Sequence, residues 1–317
     1  MTATTLLSAC LLDALAGDPR WLPHPVRLMG RSIGWYEARI RRYVHSPPGL
    51  RAAGLVLAVG LPAGAWAGGW GLIRLAELVH PLAGTGMEIL LAYTTLAARD
   101  LADHVSQVLR ALQAGLLTPA REAVAQIVGR DTEALSEPEI VRATVETIAE
   151  SAADGIVAPL LYLAVGGAPL ALAFKAVSTL DSMVGHRDER YRDFGWASAR
   201  LDDGANWVPA RLSAWLLVLA EGLVSGRAGR VSQVWSIVVR DADKHESPNS
   251  GWPEAAMAGS LQVQLGGRNV YGGTVIARPL LGDPGPALQV NHIRQALRLM
   301  IVASALAIGL AVTVRLA

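Results

Sequence analysis

The stretch GIVAPLLYLAVGGAPLALAF, residues 155–174, decides the fold because no charged side chain interrupts it. A helix of about 20 such residues can cross the roughly 30 Å hydrocarbon core of a bilayer. Pro159, Gly166, Gly167 and Pro169 break the stretch, so two half-helices are an alternative to one straight rod. A straight span would put the flanking polar segments at opposite membrane faces. We favour the re-entrant form, which keeps them at one face.

Apolar segments recur along the 317-residue chain. Hydrophobic residues make up 52% of the sequence and charged residues 17%, and the mean hydropathy is +0.33, which favours a membrane protein. Further candidate membrane segments lie at residues 52–73, 87–98, 205–224 and 299–314. We predict an all-α polytopic integral membrane protein with about four to five membrane-embedded segments, some re-entrant, and cytoplasmic helical loops. The predicted organisation is a single membrane-embedded domain over 1–317, with a soluble-like helical insertion at 99–154 and a polar loop region at 225–298.

Charge is unevenly distributed near the start of the chain. Seven arginines and one acid, Glu37, lie between Arg20 and Arg51, which places this segment in the cytoplasm by the positive-inside rule. The net charge is only +1, and no run of Lys and Arg has interleaved aromatic residues, so we expect no nucleic-acid partner. Cys10 is the only cysteine, which excludes an intramolecular disulfide and a cysteine zinc cluster.

An acidic stripe precedes the central apolar stretch. The SEPE run at 136–139 fits a capping box, so a helix should start there and end at Gly155. Glu146, Glu150 and Asp154 follow at intervals of four residues, where they repel one another near the negative end of the helix dipole. A bound cation would reverse this repulsion, and Mg²⁺ suits such carboxylates. The alternative is a solvated acidic face with nothing bound.

The polar segment 175–211 lies between two apolar stretches. Lys175 is one of only two lysines against 26 arginines, and its compact ammonium favours contact with phosphate or nucleotide. Asp181, Asp193, Asp202 and Asp203 are irregularly spaced, which fits loops folded around a metal ion and phosphates. Asp202 and Asp203 could equally cap a helix or pair with Arg200 and Arg211.

Two further motifs carry charged side chains. The segment GDPRWLPHPVRLMG, residues 17–30, is either a rigid Pro-rich loop that presents His24 and Arg27 or a tight turn at the membrane surface. The segment RDADKHESPNSGWPEAAMAGSLQVQLGG, residues 240–267, combines basic, acidic and amide side chains before a glycine-rich stretch. Its AAMAG run indicates close helix packing.

Six collinear motifs resemble the CobD/CbiB family of cobalamin biosynthesis, the adenosylcobinamide-phosphate synthases. They are GDPRWLPHPVRLMG, GRDT, ETIAESAADGIVAPLLY, KAVSTLDSMVGH, FGWASARLDD with NWVPARL, and KHESPNSGWPEAAMAG. The resemblance covers about residues 11–298. Departures are modest: Ser151 and Ser178 stand where the family usually has Asn, and Glu246 stands where proline is common.

The resemblance implies an inner-membrane enzyme, its active site facing the cytoplasm, that joins the free carboxylate of adenosylcobyric acid to 1-aminopropan-2-ol or its O-phosphate. ATP as co-substrate, Mg²⁺ and the lipid bilayer are implied with it, and a homo-oligomer is left open. Four carboxylates are the hypothetical Mg²⁺ ligands: Glu146, Glu150, Asp154 and Asp181. Five side chains are the hypothetical substrate and phosphate ligands: Arg27, Arg211, Arg240, Lys244 and Asn249. The catalytic candidates are Lys175, which neutralises phosphoryl charge, and His186 or His245, which accepts the amine proton.

Three other functions are consistent with parts of the sequence. A transporter would place ionisable groups at the bilayer midplane, whereas here they lie at the ends of uncharged windows. A non-catalytic membrane partner of corrin-biosynthesis enzymes would explain the membrane segments but not the three polar motifs. The phosphatidyl-alcohol transferase pattern is absent, because Asp154 and Gly155 are followed by Ile-Val-Ala-Pro, and no GxxxxGK[ST] loop occurs. We expect Glu150, Lys175 and Asp181 to converge on one pocket.

Overall fold

The structure is a computed structural model that describes residues 1–19, 21, 24–186 and 188–317. Its helices are α1 Ala3–Ala16, α2 Pro25–Ile40, α3 Pro47–Val79, α4 Pro81–Tyr93, α5 Ala98–Gln113, α6 Leu117–Ala125, α7 Glu137–Ala152, α8 Ala158–Val184, α9 Trp196–Ala205, α10 Trp207–Ser225, α11 Ala228–Asp241, α12 Gly251–Leu261 and α13 Val290–Leu316. A π-helical turn, Ala153–Val157, follows α7, and a 3₁₀ turn, Ala242–Lys244, follows α11. The strands are β1 Leu265–Tyr271 and β2 Thr274–Leu281.

Four helical runs in the described part of the chain are long and apolar enough to cross a membrane. They are Pro47–Val79, Glu137–Val184, Trp207–Ser225 and Val290–Leu316. The predicted window at 87–98 falls across the end of α4, whose 13 residues are fewer than a span requires. The predicted fold class, an all-α polytopic membrane protein, is confirmed.

The chain folds into two compact units. The first comprises Met1–Ala97, Ala158–Asn206 and Ile308–Ala317, and the second comprises Ala98–Val157 and Trp207–Ala307. The helical insertion predicted at 99–154 and the polar region predicted at 225–298 both lie within the second unit. That the whole chain forms one membrane-embedded domain stays a prediction.

In the first unit, α2, α3 and α8 pack around a buried phenylalanine. Ile33, Leu57, Leu180 and Phe194 belong to this core, and Phe194 is fully buried. Gly54 on α3 faces the backbone of Phe194, because a Cβ at position 54 would lie 1.9 Å from the Phe194 carbonyl oxygen. The helix can approach so closely only because this residue has no side chain.

Helix α8 is interrupted where the sequence predicted a break. Gly167 has φ 70° and ψ −167°, so the run consists of two helical segments that meet at this residue. Pro169 lies two residues further on and cannot donate a backbone hydrogen bond to the preceding turn. The predicted interruption of residues 155–174 is confirmed.

In the second unit, α7 begins as predicted and ends differently. The Ser136 backbone N–H donates to the Glu139 carboxylate at 2.8 Å, and the capping box is complete. The prediction that Gly155 terminates this helix is wrong, because Gly155 lies inside the π-helical turn Ala153–Val157. A π turn absorbs an extra residue without ending the run of helical backbone.

A β-hairpin lies inside the region that the sequence indicated only as polar loop. Strands β1 and β2 pair antiparallel, and Gly272 and Gly273 connect them with φ values of 54° and 77°. Positive φ at both positions suits the tight turn whose twist matches a hairpin. The Gly-Gly pair between β-branched and aromatic residues is the sequence signal for this hairpin.

Helix α12 confirms the close packing expected of the AAMAG run. Ala255, Ala256 and Ala258 are fully buried, and a Cβ at Gly259 would lie 3.1 Å from Val234 on α11. The small side chains let α12 approach its neighbours closely.

Candidate functional site

Glu146, the first member of the acidic stripe, is held inside the second unit by its own protein partners. Its buried carboxylate pairs with the Arg130 guanidinium and accepts the Gly266 backbone N–H at 2.8 Å. Arg130 also donates to the Asn269 side chain at 2.7 Å. Both Glu146 oxygens therefore have donors, and the geometry makes this residue a clamp between α7 and the hairpin. Its predicted role as a Mg²⁺ ligand is not needed to explain its burial.

Glu150, one turn further along α7, belongs to a different environment. Its carboxylate, the His245 ring and the Glu254 carboxylate each place one ligand atom within 4.8 Å of the others. His245 Nε2 lies 3.6 Å from Glu254 Oε1, and the two side chains are only 7% and 3% exposed. We call these three residues the acid–histidine cluster. The structure thus brings together two predicted residues, Glu150 and His245, and adds Glu254.

The tautomer of His245 follows from its hydrogen bond. Its Nδ1 accepts the Ser247 backbone N–H at 3.0 Å, so a neutral ring must carry its proton on Nε2. Burial lowers the pKa of His245, which favours this neutral form. In this geometry His245 Nε2 donates a hydrogen bond toward the cluster, whereas the sequence analysis suggested that His245 accepts the amine proton.

The cluster contains polar atoms that the protein leaves without partners. Within the described ranges, neither His245 Nε2 nor Glu254 Oε1 makes a hydrogen bond. Burial, reinforced by the negative charges of Glu150 and Glu146, raises the pKa of the Glu254 carboxyl well above its usual range. Buried polar groups are normally satisfied, so orphaned atoms that share one location point to a missing ligand.

Arg278 on β2 adds a cation to this environment. The negative charges of Glu150 and Glu254 act on its half-buried guanidinium. Across the parts of the chain that the structure describes, the Arg278 side chain forms no ion pair within 4.0 Å and no hydrogen bond. Its guanidinium carbon lies 5.7 Å from the centre of the Tyr271 ring. Its donors are therefore available to a ligand.

Arg240 and Lys244, predicted to hold a phosphate, surround a buried acid instead. Arg240 donates to both Asp241 oxygens at 2.8 and 2.7 Å and to Asp283 at 2.6 Å. Lys244 donates to Asp241 at 2.6 Å. The Arg240 guanidinium holds the pKa of the Asp241 carboxyl well below its usual range. Two cations thus balance two anions, and every nitrogen of Arg240 already donates to a carboxylate.

Arg211 and Asn249, two other predicted ligands, lie together. The Arg211 guanidinium is stacked on Trp207 at 4.2 Å and on Trp252 at 4.5 Å. One of its terminal nitrogens donates to the Trp207 carbonyl at 2.8 Å and approaches Asn249 Oδ1 at 3.5 Å. Two aromatic faces hold the guanidinium plane in place, which pre-organises its remaining donors for an anion.

Asp154 and the other predicted residues are divided between the two units. Asp154 lies in the π-helical turn of the second unit, whereas Lys175, Asp181, His186 and Arg27 belong to the first unit. Lys175 is half-buried on α8, and the exposed His186 ring packs against Tyr191 with centroids 5.9 Å apart. The convergence of Glu150, Lys175 and Asp181 stays a prediction.

Arg27 lies on α2 beside the Pro-rich motif. It pairs with Asp18 at 3.5 Å and lines a largely apolar cavity of about 640 Å³ in the first unit. Arg20, Leu22 and Pro23 of that motif lie outside the described residues, so the predicted rigid loop is described only in part.

Asp202 and Asp203 each interact electrostatically with Asp181 in the first unit, and we call these three residues the oxygen-rich group. Asp202 on α9 accepts a hydrogen bond from the Asn206 amide at 3.0 Å. Burial, followed by the charge of Asp181, raises the pKa of Asp202 to about 7. Ser198 lies near the start of α9 and Asn206 follows its last residue. In the described structure Ser198 Oγ and Asn206 Oδ1 are buried without a hydrogen bond.

Comparison with known proteins identifies the family of this chain. The sequence profile of the family described as CobD/Cbib protein matches residues 6–300. The chain belongs to the CobD/CbiB family. The resemblance drawn from the six motifs is confirmed, and these motifs contribute Glu150, His245 and Glu254 to the acid–histidine cluster.

Several relatives of the CobD/CbiB family match almost the whole chain. Cobalamin biosynthesis protein CobD of Geobacter metallireducens is 53% identical over 309 residues, which is 96% of this chain and 94% of the relative. Cobalamin biosynthesis protein CobD of Citrobacter koseri is 46% identical over 316 residues, covering 99% and 98%. Cobalamin biosynthesis protein CbiB of Salmonella typhimurium is 46% identical over 317 residues, covering 98% of each chain. No solved structure matches the chain.

Two residues of this CobD/CbiB site were missed from the sequence. Glu254 lies within the quoted GWPEAAMAG run, which we interpreted as helix packing; a carboxylate among small buried residues was the overlooked signal. Arg278 lies on the unpredicted strand β2, and no local pattern distinguishes it from the exposed Arg268.

Proposed function

We propose that this chain catalyses an ATP-dependent amide ligation in cobalamin biosynthesis. Its substrates would be the free carboxylate of adenosylcobyric acid and the amino group of 1-aminopropan-2-ol or its O-phosphate. Family membership supports this assignment, because the curated relatives carry the name cobalamin biosynthesis protein. We further propose that the enzyme lies in the inner membrane and that its catalytic groups face the cytoplasm, as the arginines near the start of the chain favour.

The proposed chemistry has two bond-forming steps. A carboxylate oxygen of adenosylcobyric acid attacks the γ-phosphorus of ATP, so that an acyl phosphate forms and ADP leaves. The neutral amine nitrogen then attacks the acyl carbon, the C–N bond forms, and inorganic phosphate leaves with the carboxylate oxygen. The substrate ammonium must lose protons on the way to the amide, so the site needs a group that accepts them.

The acid–histidine cluster is the observation that carries this proposal. A carboxylate of Glu150 or Glu254 can receive the amine proton, since burial and a neighbouring acid adjust such groups for proton transfer near neutral pH. His245 donates through Nε2 and so orients an oxygen of the ligand or of Glu254. Arg211, fixed between two tryptophan rings, would stabilise negative charge on a phosphate or carboxylate.

Mg²⁺ fits the oxygen-rich group in the first unit better than it fits the acid–histidine cluster. Asp181, Asp202 and Asp203 would hold the ion there, and the orphaned Oδ1 of Asn206, whose amide donates to Asp202, offers a further hard oxygen donor. In the acid–histidine cluster the histidine directs an N–H, which cannot ligate a cation. Bound Mg²⁺ would offset the negative charge of nucleotide phosphates.

The direct test uses the purified protein in detergent. Adenosylcobyric acid, ATP, Mg²⁺ and either amine should give a product whose mass equals acid plus amine minus water, with one ADP formed per amide. Glu254→Gln should lower the rate by about 10²- to 10⁴-fold, the usual contribution of a general acid or base. The exposed Glu133→Gln, in the same unit, is the matched control and should leave the rate unchanged. Absence of any amide with the wild-type protein would refute the function.

A further inference from the structure

We propose that the amine substrate binds as a zwitterion at a subsite formed by four side chains of the second unit. Glu150 and Glu254 bind its ammonium group, and His245 and Arg278 bind its phosphate ester. The inference rests on the proposed function and deepens it, because it locates the amine and makes Arg278 the residue that selects the phosphorylated form. Each of the four side chains belongs to the second unit.

The acidic side of the subsite suits a primary ammonium. Glu254 Oε1 is buried and, in the described portion of the chain, accepts no hydrogen bond. Glu254 shares a hydrogen bond with Glu150, so Oε1 is its unsatisfied oxygen, and leaving that buried atom unsatisfied is unfavourable. A bound ammonium would take the place of the shared proton and supply three N–H donors to the two carboxylates. Glu150 is half-buried, so it marks the side of the cluster that a small ligand can enter.

The basic side of the subsite suits an anionic ester. His245 presents an N–H because its other ring nitrogen is occupied by the Ser247 backbone. The negative charges of Glu150 and Glu254 act on the Arg278 guanidinium. In the described structure, neither acid forms a salt bridge with Arg278 within 4.0 Å. A cation held beside two acids without pairing is arranged for a ligand that carries both signs of charge.

This arrangement predicts selectivity between the two forms of the amine. The free amino alcohol would satisfy the acids but leave Arg278 and His245 Nε2 without an anion. The O-phosphate would satisfy both sides. Hydrogen bonds to a charged group contribute enough for the phosphorylated amine to bind about ten- to a hundredfold more tightly than the free amine.

Titration calorimetry on the full-length protein in detergent, without ATP or corrinoid, tests the subsite. The ligands are 1-aminopropan-2-ol O-phosphate, 1-aminopropan-2-ol, inorganic phosphate and MgCl₂. Glu254→Gln should weaken both amines by at least about tenfold. Arg278→Gln should weaken only the O-phosphate and bring its affinity down to that of the free amine. Arg268→Gln, an exposed arginine on the same hairpin, is the control and should change neither.

Specific outcomes would overturn the inference. Unchanged O-phosphate affinity in Arg278→Gln would remove Arg278 from the subsite. Mg²⁺ binding that Glu254→Gln abolishes, with no amine binding, would make the cluster a metal site. If Glu254→Gln fails to fold, the half-buried Glu150→Gln provides the same comparison. Wild-type amide formation with amine affinities unaffected by these variants would refute the subsite alone, whereas absence of amide would refute the function itself.

Discussion

Replacing Arg130 by methionine should strongly destabilise the second unit. Arg130 and Glu146 have side chains only 6% and 4% exposed, so their ion pair is a buried one. The variant would leave the Glu146 carboxylate with a single donor, the Gly266 N–H at 2.8 Å. Removing one partner of a buried ion pair costs about 3–5 kcal/mol, against about 0–1 kcal/mol for an exposed pair.

Thermal unfolding of the purified protein in detergent measures this effect. At about 2–4 °C for each kcal/mol, the Arg130→Met midpoint should fall by at least about 6 °C. The double variant Arg130→Met with Glu146→Leu should recover most of the loss, because no buried charge remains unpaired. Adding MgCl₂ should not rescue Arg130→Met. A midpoint within about 2 °C of wild type, or rescue by Mg²⁺, would refute the clamp and restore Glu146 as a metal ligand.

Three more predictions concern stability. Gly54→Ala should lower the unfolding midpoint, because the added Cβ would collide with the Phe194 carbonyl oxygen. Gly64→Ala is the control and should leave the midpoint unchanged, because nothing lies within 4 Å of a Cβ at that position. Equal midpoints in the two variants would contradict the close approach of α3 to Phe194. The pKa of Asp202 is raised from 3.8 to about 7, so the stability contributed by its protonated form is lost as the pH rises from about 4 to about 7. Asp202→Asn should flatten this decline when the unfolding midpoint is measured against pH. An unchanged slope would contradict the prediction. Asp241→Asn should weaken the fold, because the buried Gly282 N–H and the half-exposed Arg240 and Lys244 lose their carboxylate. The loss of stability should grow at low salt, where repulsion between the two remaining cations is less screened. A salt-independent change would argue otherwise.

The membrane architecture could be predicted from the sequence because it depends on local composition. A long run without charge is recognisable wherever its neighbours pack, and Gly167 with Pro169 interrupts a helix for reasons contained in those residues. The capping box at Ser136 is equally local. The end of α7 was mispredicted because a π turn at Gly155 depends on how the surrounding helices hold the backbone.

The candidate site could be predicted only in part. Glu146 and Glu150 share one helical stripe and looked equivalent, yet Arg130 saturates one of them and His245 faces the other. That difference depends on residues far away in the chain. Arg240 appeared to be a phosphate ligand because the sequence shows its charge but not the carboxylates that occupy it.

The central claim, carboxylate activation by phosphoryl transfer, is tested most directly with adenosylcobyric acid labelled with ¹⁸O in its free carboxylate. Turnover with ATP, Mg²⁺ and 1-aminopropan-2-ol O-phosphate should transfer one labelled oxygen to the inorganic phosphate, detected by mass spectrometry. The amide should retain the other. Phosphate without label, or label recovered in AMP, would contradict the proposed acyl phosphate.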